Sequence, residues 1–311
     1  MKRISLVFTA FALVAAICLT QGAVAADKMT LNKVTDGVYM MENSRGSSNS
    51  TFVVTDDGVL VFDFDIRTAD QVLAAIRKIT NKKVRYLVSS HSAGDHATGA
   101  WHFREDKPVY IASRPQSRDL NMQEAQEFEE RKESRAAYKG KDLIKPDIAF
   151  DDGMTLYFGG LTFHIKHEGQ GHSTGDTTIY IPQKRVFLAG DLLDTEIHPG
   201  QGSSSNTYYS VIDGWMRLLD NIMARDLPVD TYVPGHGPVH VGRGVADLKE
   251  QKGYFIAIRD EVSKRIQEGK SLAQIRKELK KLPGVYAKYK RGSRLRNFIN
   301  RTYYQLQGKR W

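Results

Sequence analysis

Cysteine is almost missing from this sequence. The chain of 311 residues has one, Cys18, and it falls inside an apolar amino-terminal run, so everything downstream lacks a thiol. That excludes a disulfide framework, a thiolate nucleophile and any metal site built on sulfur. Metal chemistry, if present, has to use imidazole and carboxylate. Internal repeats and low-complexity linkers are absent too. Charged residues at 26% and hydrophobic residues at 41% are an ordinary globular balance, and the length allows one large domain or two small ones.

Lys2 and Arg3 form a positive start, Ile4 to Leu19 is nearly all apolar, and "AVAAD" at Ala23 to Asp27 offers small residues for cleavage. This is the pattern of a secretory signal peptide over residues 1–25. The apolar run is about 16 residues, short for a membrane span of roughly 20. Ile17 is not the small residue that lipid attachment at Cys18 would want. The expectation is export, to the periplasm, of a chain covering residues 26–311 with no integral membrane segment after cleavage.

The formal net charge is +9, and removing Lys2 and Arg3 leaves 9 − 2 = +7 for the exported form. Much of the basic excess lies between Arg276 and Arg301. An exported protein seldom meets nucleic acid, so no nucleic-acid partner is expected and the excess reads as the solvated face of a C-terminal helical extension.

Strands are expected at Gly37 to Met41, Ser50 to Thr55 and Gly58 to Phe64, with Asp56, Asp57 and Gly58 as a turn. Val72, Ile76 and Ile79 recur at helical spacing, so a helix capped by Thr68 should follow. "VRYLVSS" is then a buried strand that runs into a loop. Arg114 to Lys141 is charged and helix-prone and reads as a surface helix, with a lid as the alternative. A second strand-rich block covers Met154 to Phe158, Leu161 to His167, Thr177 to Ile181 and Arg185 to Ala189, followed by helices and the short strand "TYVPG". Two strand blocks with their own helices suggest an α/β fold, one αββα sandwich.

Four of the nine histidines stand where the chain leaves an expected strand. They are His91 and His96 in "LVSSHSAGDHATGAWHF", His172 in "EGQGHSTGDTTIY" and His236 in "VPGHGPVH". Asp95 and Asp191, the latter in "VFLAGDLLD", occupy similar places. Neutral imidazole is the usual protein ligand for zinc, and α/β folds gather active sites at strand ends. A lone His or Asp is more often a cap or a core residue, but this many at successive strand ends fits capping poorly. His102, His164, His167, His198 and His240 match no ligand pattern, although His198 sits in the Gly- and Ser-rich loop after Asp191. Tyr208, Tyr209 and Trp215 could line a pocket there or pack into the core, and Ser203 to Ser205 is loop.

In their order, these motifs resemble the metallo-β-lactamase superfamily from about Lys33 to Leu306. The resemblance implies an αββα sandwich with a one- or two-ion centre, usually zinc. It implies that His91 and His172 belong to a first metal position, that Asp95, His96 and His236 belong to a second, and that Asp191 bridges them. Ala93 departs from the pattern, because the family has a third histidine of the first position there and a methyl group cannot donate to a metal. The second position should therefore bind more tightly. The aspartate at position 191 argues against the lactamase subclass that uses a cysteine ligand. It is closer to the broader hydrolases, including hydroxyacylglutathione hydrolases and exported zinc hydrolases associated with quinoprotein systems.

The implied activity is attack on a carbonyl by hydroxide formed at the metal, with Asp95 orienting the nucleophile. The substrate would be a small molecule, a β-lactam, lactone, ester or thioester. A binding protein that kept the fold and lost turnover is the competing expectation, with Ala93 as its mark. The exported protein should begin near Ala26 or Asp27, and an intact-mass measurement that still finds Met1 to Leu19 would contradict the leader.

Overall fold

The computed structural model describes residues 27–43, 45, 47–201 and 210–309. The expected leader, Ser203 to Ser205, Tyr208 and Tyr209 lie outside them. The first sheet holds β1 (Met29–Thr35), β2 (Val38–Asn43), β3 (Ser50–Val54), β4 (Val59–Phe62), β5 (Val84–Val88), β6 (Val109–Ser113) and β7 (Ile148–Phe150), side by side in chain order. Its first strands form an antiparallel meander, and β4 to β7 run parallel. Parallel neighbours need crossovers. These are supplied by α1 (Ala69–Ile79), then by the short α2 (Gly94–Ala97), then by α3 (Arg114–Asn121) and α4 (Gln123–Ser134).

The second sheet contains β8 (Gly153–Phe158), β9 (Leu161–Gly169), β10 (Asp176–Ile181), β11 (Val186–Asp194) and β12 (Thr231–His236), ordered β12-β11-β10-β9-β8. The pair β11 and β12 is parallel, with α5 (Ile212–Ala224) between them in the chain. Three more helices follow: α6 (Ala246–Gln267), α7 (Leu272–Glu278) and α8 (Gly292–Leu306).

The "VLVF" of β4 shows why two sheets stack. Side chains alternate along a strand, so Val59 and Val61 join Phe52, Val72 and Ile76 under α1. Leu60 and Phe62 point the other way, onto Phe163, Ile179 and Leu188 of the second sheet. A strand covered on both faces reads as an unbroken apolar run. The far face of the second sheet is sealed by Trp215, Leu219, Phe255, Ile258 and Phe298 from α5, α6 and α8. The result is the expected αββα sandwich.

Some local expectations shift. Thr68 does precede α1, but its hydroxyl makes no capping bond and is buried without a hydrogen-bond partner. Asp70 in the first turn and Arg77 and Lys78 in the last suit the helix dipole instead. The strand before Asp191 continues to Asp194, so Asp191 lies within β11. The register slips on either side of Gly190, which takes φ 54°. A kink of this kind at a glycine turns the strand without ending it.

The basic excess of the C-terminal helices is not all solvated. Lys277, Lys280, Lys281 and Arg296 are exposed. Arg301, however, is buried in the core and donates to the Ser210 carbonyl at 2.7 Å and to its hydroxyl at 2.9 Å. Among the described residues no helix is long and apolar enough to cross a membrane.

Trp215 is fully buried, its ring 4.7 Å from that of Phe255 and its Nε1 donating to the Leu192 carbonyl at 3.0 Å. Trp215→Ala should cost about 3–5 kcal/mol through the cavity and the orphaned carbonyl. Urea denaturation checks this, and a loss below about 1 kcal/mol would mean that the helical layer is not packed as described.

Candidate metal centre

The site forms where both sheets end on the same side. Asp63 follows β4 in a left-handed conformation, φ 63°, which Asp tolerates better than most residues. The turn lets one carboxylate oxygen accept the Ser90 amide at 2.6 Å while the other lies 2.9 Å from Nδ1 of His96. His96 sits on α2, whose first turn is closed by the Ala93 carbonyl, accepting from the His96 and Ala97 amides at 2.8 and 3.1 Å. With Nδ1 held by Asp63, Nε2 of His96 is turned into the site. His91 comes from the same loop, its ring 4.2 Å from that of His96 and its Nδ1 3.0 Å from the Ser90 hydroxyl.

The "GHSTGDT" motif has a mechanical basis. Asp176 at the start of β10 accepts the amides of Gly171, His172 and Ser173 at 3.0, 2.8 and 2.9 Å. The tight turn so formed presents His172, and Trp215 packs edge-on behind its ring at 5.4 Å. Burial pushes the Asp176 carboxyl up to about 7, although these donors oppose the shift. His236 ends β12, which is tied to the first sheet by Asn49. That residue donates its backbone amide to the Gly235 carbonyl at 2.7 Å and its side-chain amide to the Pro234 and Gly237 carbonyls at 3.1 and 2.8 Å. A Cβ on Gly235 would collide with Asp191 and with the Gly190 backbone, so only glycine lets β12 lie this close to β11.

All of the sequence candidates converge. His91, His172 and Asp191 offer ligand atoms within 4.8 Å of one another, as do Asp95, His96 and His236. Asp191 stands between the groups, with Oδ2 3.4 Å from His172 Nε2 and 3.2 Å from His236 Nε2, and Oδ1 3.3 Å from His96 Nε2. Asp95 is partly exposed, its Oδ2 3.8 Å from Nε2 of both His96 and His236. Ala93 lines the cavity beside them.

Burial works against charge on every member, and the balance then depends on neighbours. His91 is driven well below the usual imidazole range by burial and by His96 and His172. Burial takes His172 down to about 4. His96 goes the other way, because Asp191, Asp63 and Asp95 together outweigh its burial. For Asp191, burial is likewise overcome by His236, His96 and His172, which hold its carboxyl well below the usual range.

This donor set fits a divalent cation. His96 and His236 face each other Nε2 to Nε2 at 3.4 Å, and Oδ1 of Asp191 is buried without a hydrogen bond. Imidazole nitrogens and carboxylate oxygens crowded this closely are what a shared cation would gather.

Other residues were not legible as site residues. Asp194 is buried near Asp191 and His236, takes the Gly200 amide at 2.9 Å, and is raised to about 6 by burial and by Asp191. The segment expected to be a surface helix instead lends Glu124, Glu127 and Arg131 of α4 to the cavity wall. Arg131 is paired with both glutamates. Arg67, Arg291 and Arg294 line the same cavity of about 720 Å³. Of the remaining histidines, His102 bonds the Ile66 carbonyl, His167 the Thr174 carbonyl, His198 the Tyr254 hydroxyl and His240 Asp247. His164 lies 3.3 Å from the Thr155 hydroxyl. None joins the cluster.

Because Asp63 fixes the His96 ring, Asp63→Asn should weaken metal binding about 10–100-fold while the fold persists. Competitive chelator titration of zinc-loaded protein reads this, and unchanged affinity would show that the Asp63 bond is not needed to orient His96.

Residues 43–236 match the metallo-beta-lactamase superfamily. The chain is 21% identical over 221 residues to a type 2 metallo-beta-lactamase of Bacteroides fragilis, across 68% of this chain and 80% of that protein. It is 22% identical over 266 residues to a linear primary-alkylsulfatase of Pseudomonas sp. (strain ATCC 19151), across 75% of this chain and 50% of that protein. Among solved structures, a stereoselective inverting sec-alkylsulfatase from Pseudomonas sp. superposes with TM-score 0.66 at 19% identity, covering 90% of this chain and 50% of that one. The DIM-1 metallo-beta-lactamase gives TM-score 0.58 at 19% identity, covering 73% and 97%. The chain spans about half the length of the alkylsulfatases it matches. The matched segment contains every one of the converging histidines and aspartates, and the chain belongs to the metallo-beta-lactamase superfamily.

Proposed function

We propose that this protein is an exported metal-dependent hydrolase that uses zinc. One observation carries the reading: Asp191 sits among the Nε2 atoms of His96, His172 and His236 at 3.2–3.4 Å, in a buried pocket at the floor of an open cavity. His91 and His172 would hold a first ion, Asp95, His96 and His236 a second, with Asp191 shared. A bound cation would supply Lewis acidity, polarising the scissile group and making water a nucleophile near neutral pH.

The chain's own contribution is positional. Asp95 is poised to orient the attacking water through Oδ2. Its carboxyl is held well below the usual range because His96 and His236 outweigh its burial, so it stays an acceptor at working pH. The substrate is a small molecule with a hydrolysable acyl bond, a β-lactam, lactone, ester or thioester. The alkylsulfatases among the similar proteins add sulfate esters to the classes to assay.

Ala93 favours a second reading, a binding protein without turnover, because its methyl lies beside the cluster where it can ligate nothing. A panel of lactam, lactone, thioester and sulfate-ester substrates, assayed with added zinc, separates the two. The parent should turn over at least one class, Asp95→Ala should abolish it, and Ala93→His should raise metal content. No turnover with no bound metal would leave the binding protein, and an Asp95→Ala protein as active as the parent would remove Asp95 from the site. Metal loading supplies a separate check: His236→Ala should strip most of the bound metal and His91→Ala less, and equal losses would contradict a tighter second position.

A further inference from the structure

We propose that Arg291 and Arg294 of the C-terminal segment form an oxyanion-binding cradle, which selects substrates carrying a carboxylate or sulfate group. The inference deepens the hydrolase reading and takes its notion of a substrate from it. The residues belong to a part of the chain beyond the family match, which ends at residue 236.

The two arginines are three positions apart, Arg291 immediately before α8 and Arg294 in its first turn. They line the same cavity as His91, Asp95 and His236. The segment leading into α8 is fastened to the strand that carries Asp191. The His198 amide donates to the Lys290 carbonyl and the Lys290 amide to the Glu196 carbonyl, both at 3.0 Å, and Glu196 stands two residues after the end of β11. The arginines therefore stand on a support that is fixed relative to the metal centre.

Charge and burial together set them apart from the other three arginines of the cavity, of which Arg135 is exposed to solvent. Arg67 is bound by Asp65 and the Ser47 hydroxyl. Arg131 is neutralised by Glu124 and Glu127. Among the described residues no carboxylate comes within ion-pair distance of Arg291 or Arg294, and the one hydrogen bond from either guanidinium is a long one, 3.4 Å, from Arg294 to the His198 carbonyl. The acids that act on Arg291, Asp95 and Asp194, do so from beyond ion-pair distance. Both arginines are half-buried, so each has given up part of its hydration without gaining a counter-charge. Burial pushes the Arg291 guanidinium below its ordinary value, and the neighbouring Arg294 adds to the shift.

Arg291 also takes φ 62°, a left-handed conformation that is unfavourable for a residue other than glycine. A planar guanidinium pair matches the oxygens of a carboxylate or sulfate in a two-pronged hydrogen bond. Such an anion would relieve the repulsion and fix the substrate against α8, leaving the opposite end over the cluster.

Isothermal titration of the full chain with benzoate, benzenesulfonate and the neutral methyl phenyl sulfone tests the cradle, before and after chelation of metal. At least one anion should bind, about tenfold or more weaker in Arg291→Gln/Arg294→Gln, with part of the loss recovered in Arg291→Lys/Arg294→Lys. The neutral sulfone should bind no differently in parent and variant, and chelation should leave the arginine-dependent difference in place. The relative affinities of benzoate and benzenesulfonate then say which headgroup the cradle prefers. Should the double glutamine variant fail to fold, Arg294→Gln alone and the lysine pair carry the same comparison. Anion affinity that is equal in parent and variants, or that vanishes with the metal, overturns the cradle. Arginine-dependent binding in a protein that hydrolyses nothing leaves the cradle standing and removes the hydrolase. Turnover of anionic and neutral esters that falls alike in the variant does the reverse.

Discussion

Everything at this site depends on holding several imidazoles and carboxylates against one another away from water. Left alone such groups repel, or lose their charge to burial. The fold resists this by bracing each one from behind. Asp63 fixes His96, a three-amide grip by Asp176 sets the turn bearing His172, and Trp215 backs that ring. Asn49 brings the end of β12 against the first sheet, so that His236 meets donors from the other half of the sandwich. The stacking of the sheets is thus also what closes the donor ring.

The helical layer ties this centre to the substrate side. β11 carries Asp191 and Asp194, and the loop that leaves it pins the entrance of α8. The packing of Trp215, Phe255 and Phe298 that stabilises the outer layer therefore also sets the distance between the metal floor and the arginine wall. One wall of the cavity comes from α4, which presents self-paired charges. The other comes from the start of α8 and carries Arg291 and Arg294, which have no carboxylate within ion-pair distance among the described residues.

The donors were legible in the sequence because each belongs to a short motif at a change of chain direction, and such motifs are local. The layer order was legible for a similar reason, since "VLVF" and "VFLAGDLLD" are too apolar for strands with a wet face. What supports the donors was not. Asp63 looks like the end of a strand, Asn49 like a loop residue and Asp176 like part of a turn, and only tertiary contact gives them partners. The basic C-terminal segment reads as a solvated face because its lysines are solvated. Nothing in the spacing says that Arg301 enters the core or that Arg291 and Arg294 turn inward. Ala93 was legible as a departure, and the structure adds that its carbonyl closes the turn bearing His96, a role any residue could fill.

The central claim is that this ring of side chains gathers a divalent cation. Anomalous diffraction at the zinc edge, from crystals of the full chain grown with zinc, tests it most directly. The account predicts a strong peak bounded by Asp95, His96, His236 and Asp191, with a weaker one toward His91 and His172. Diffraction showing the ring intact with no peak inside it, or zinc held only elsewhere on the molecule, would contradict it.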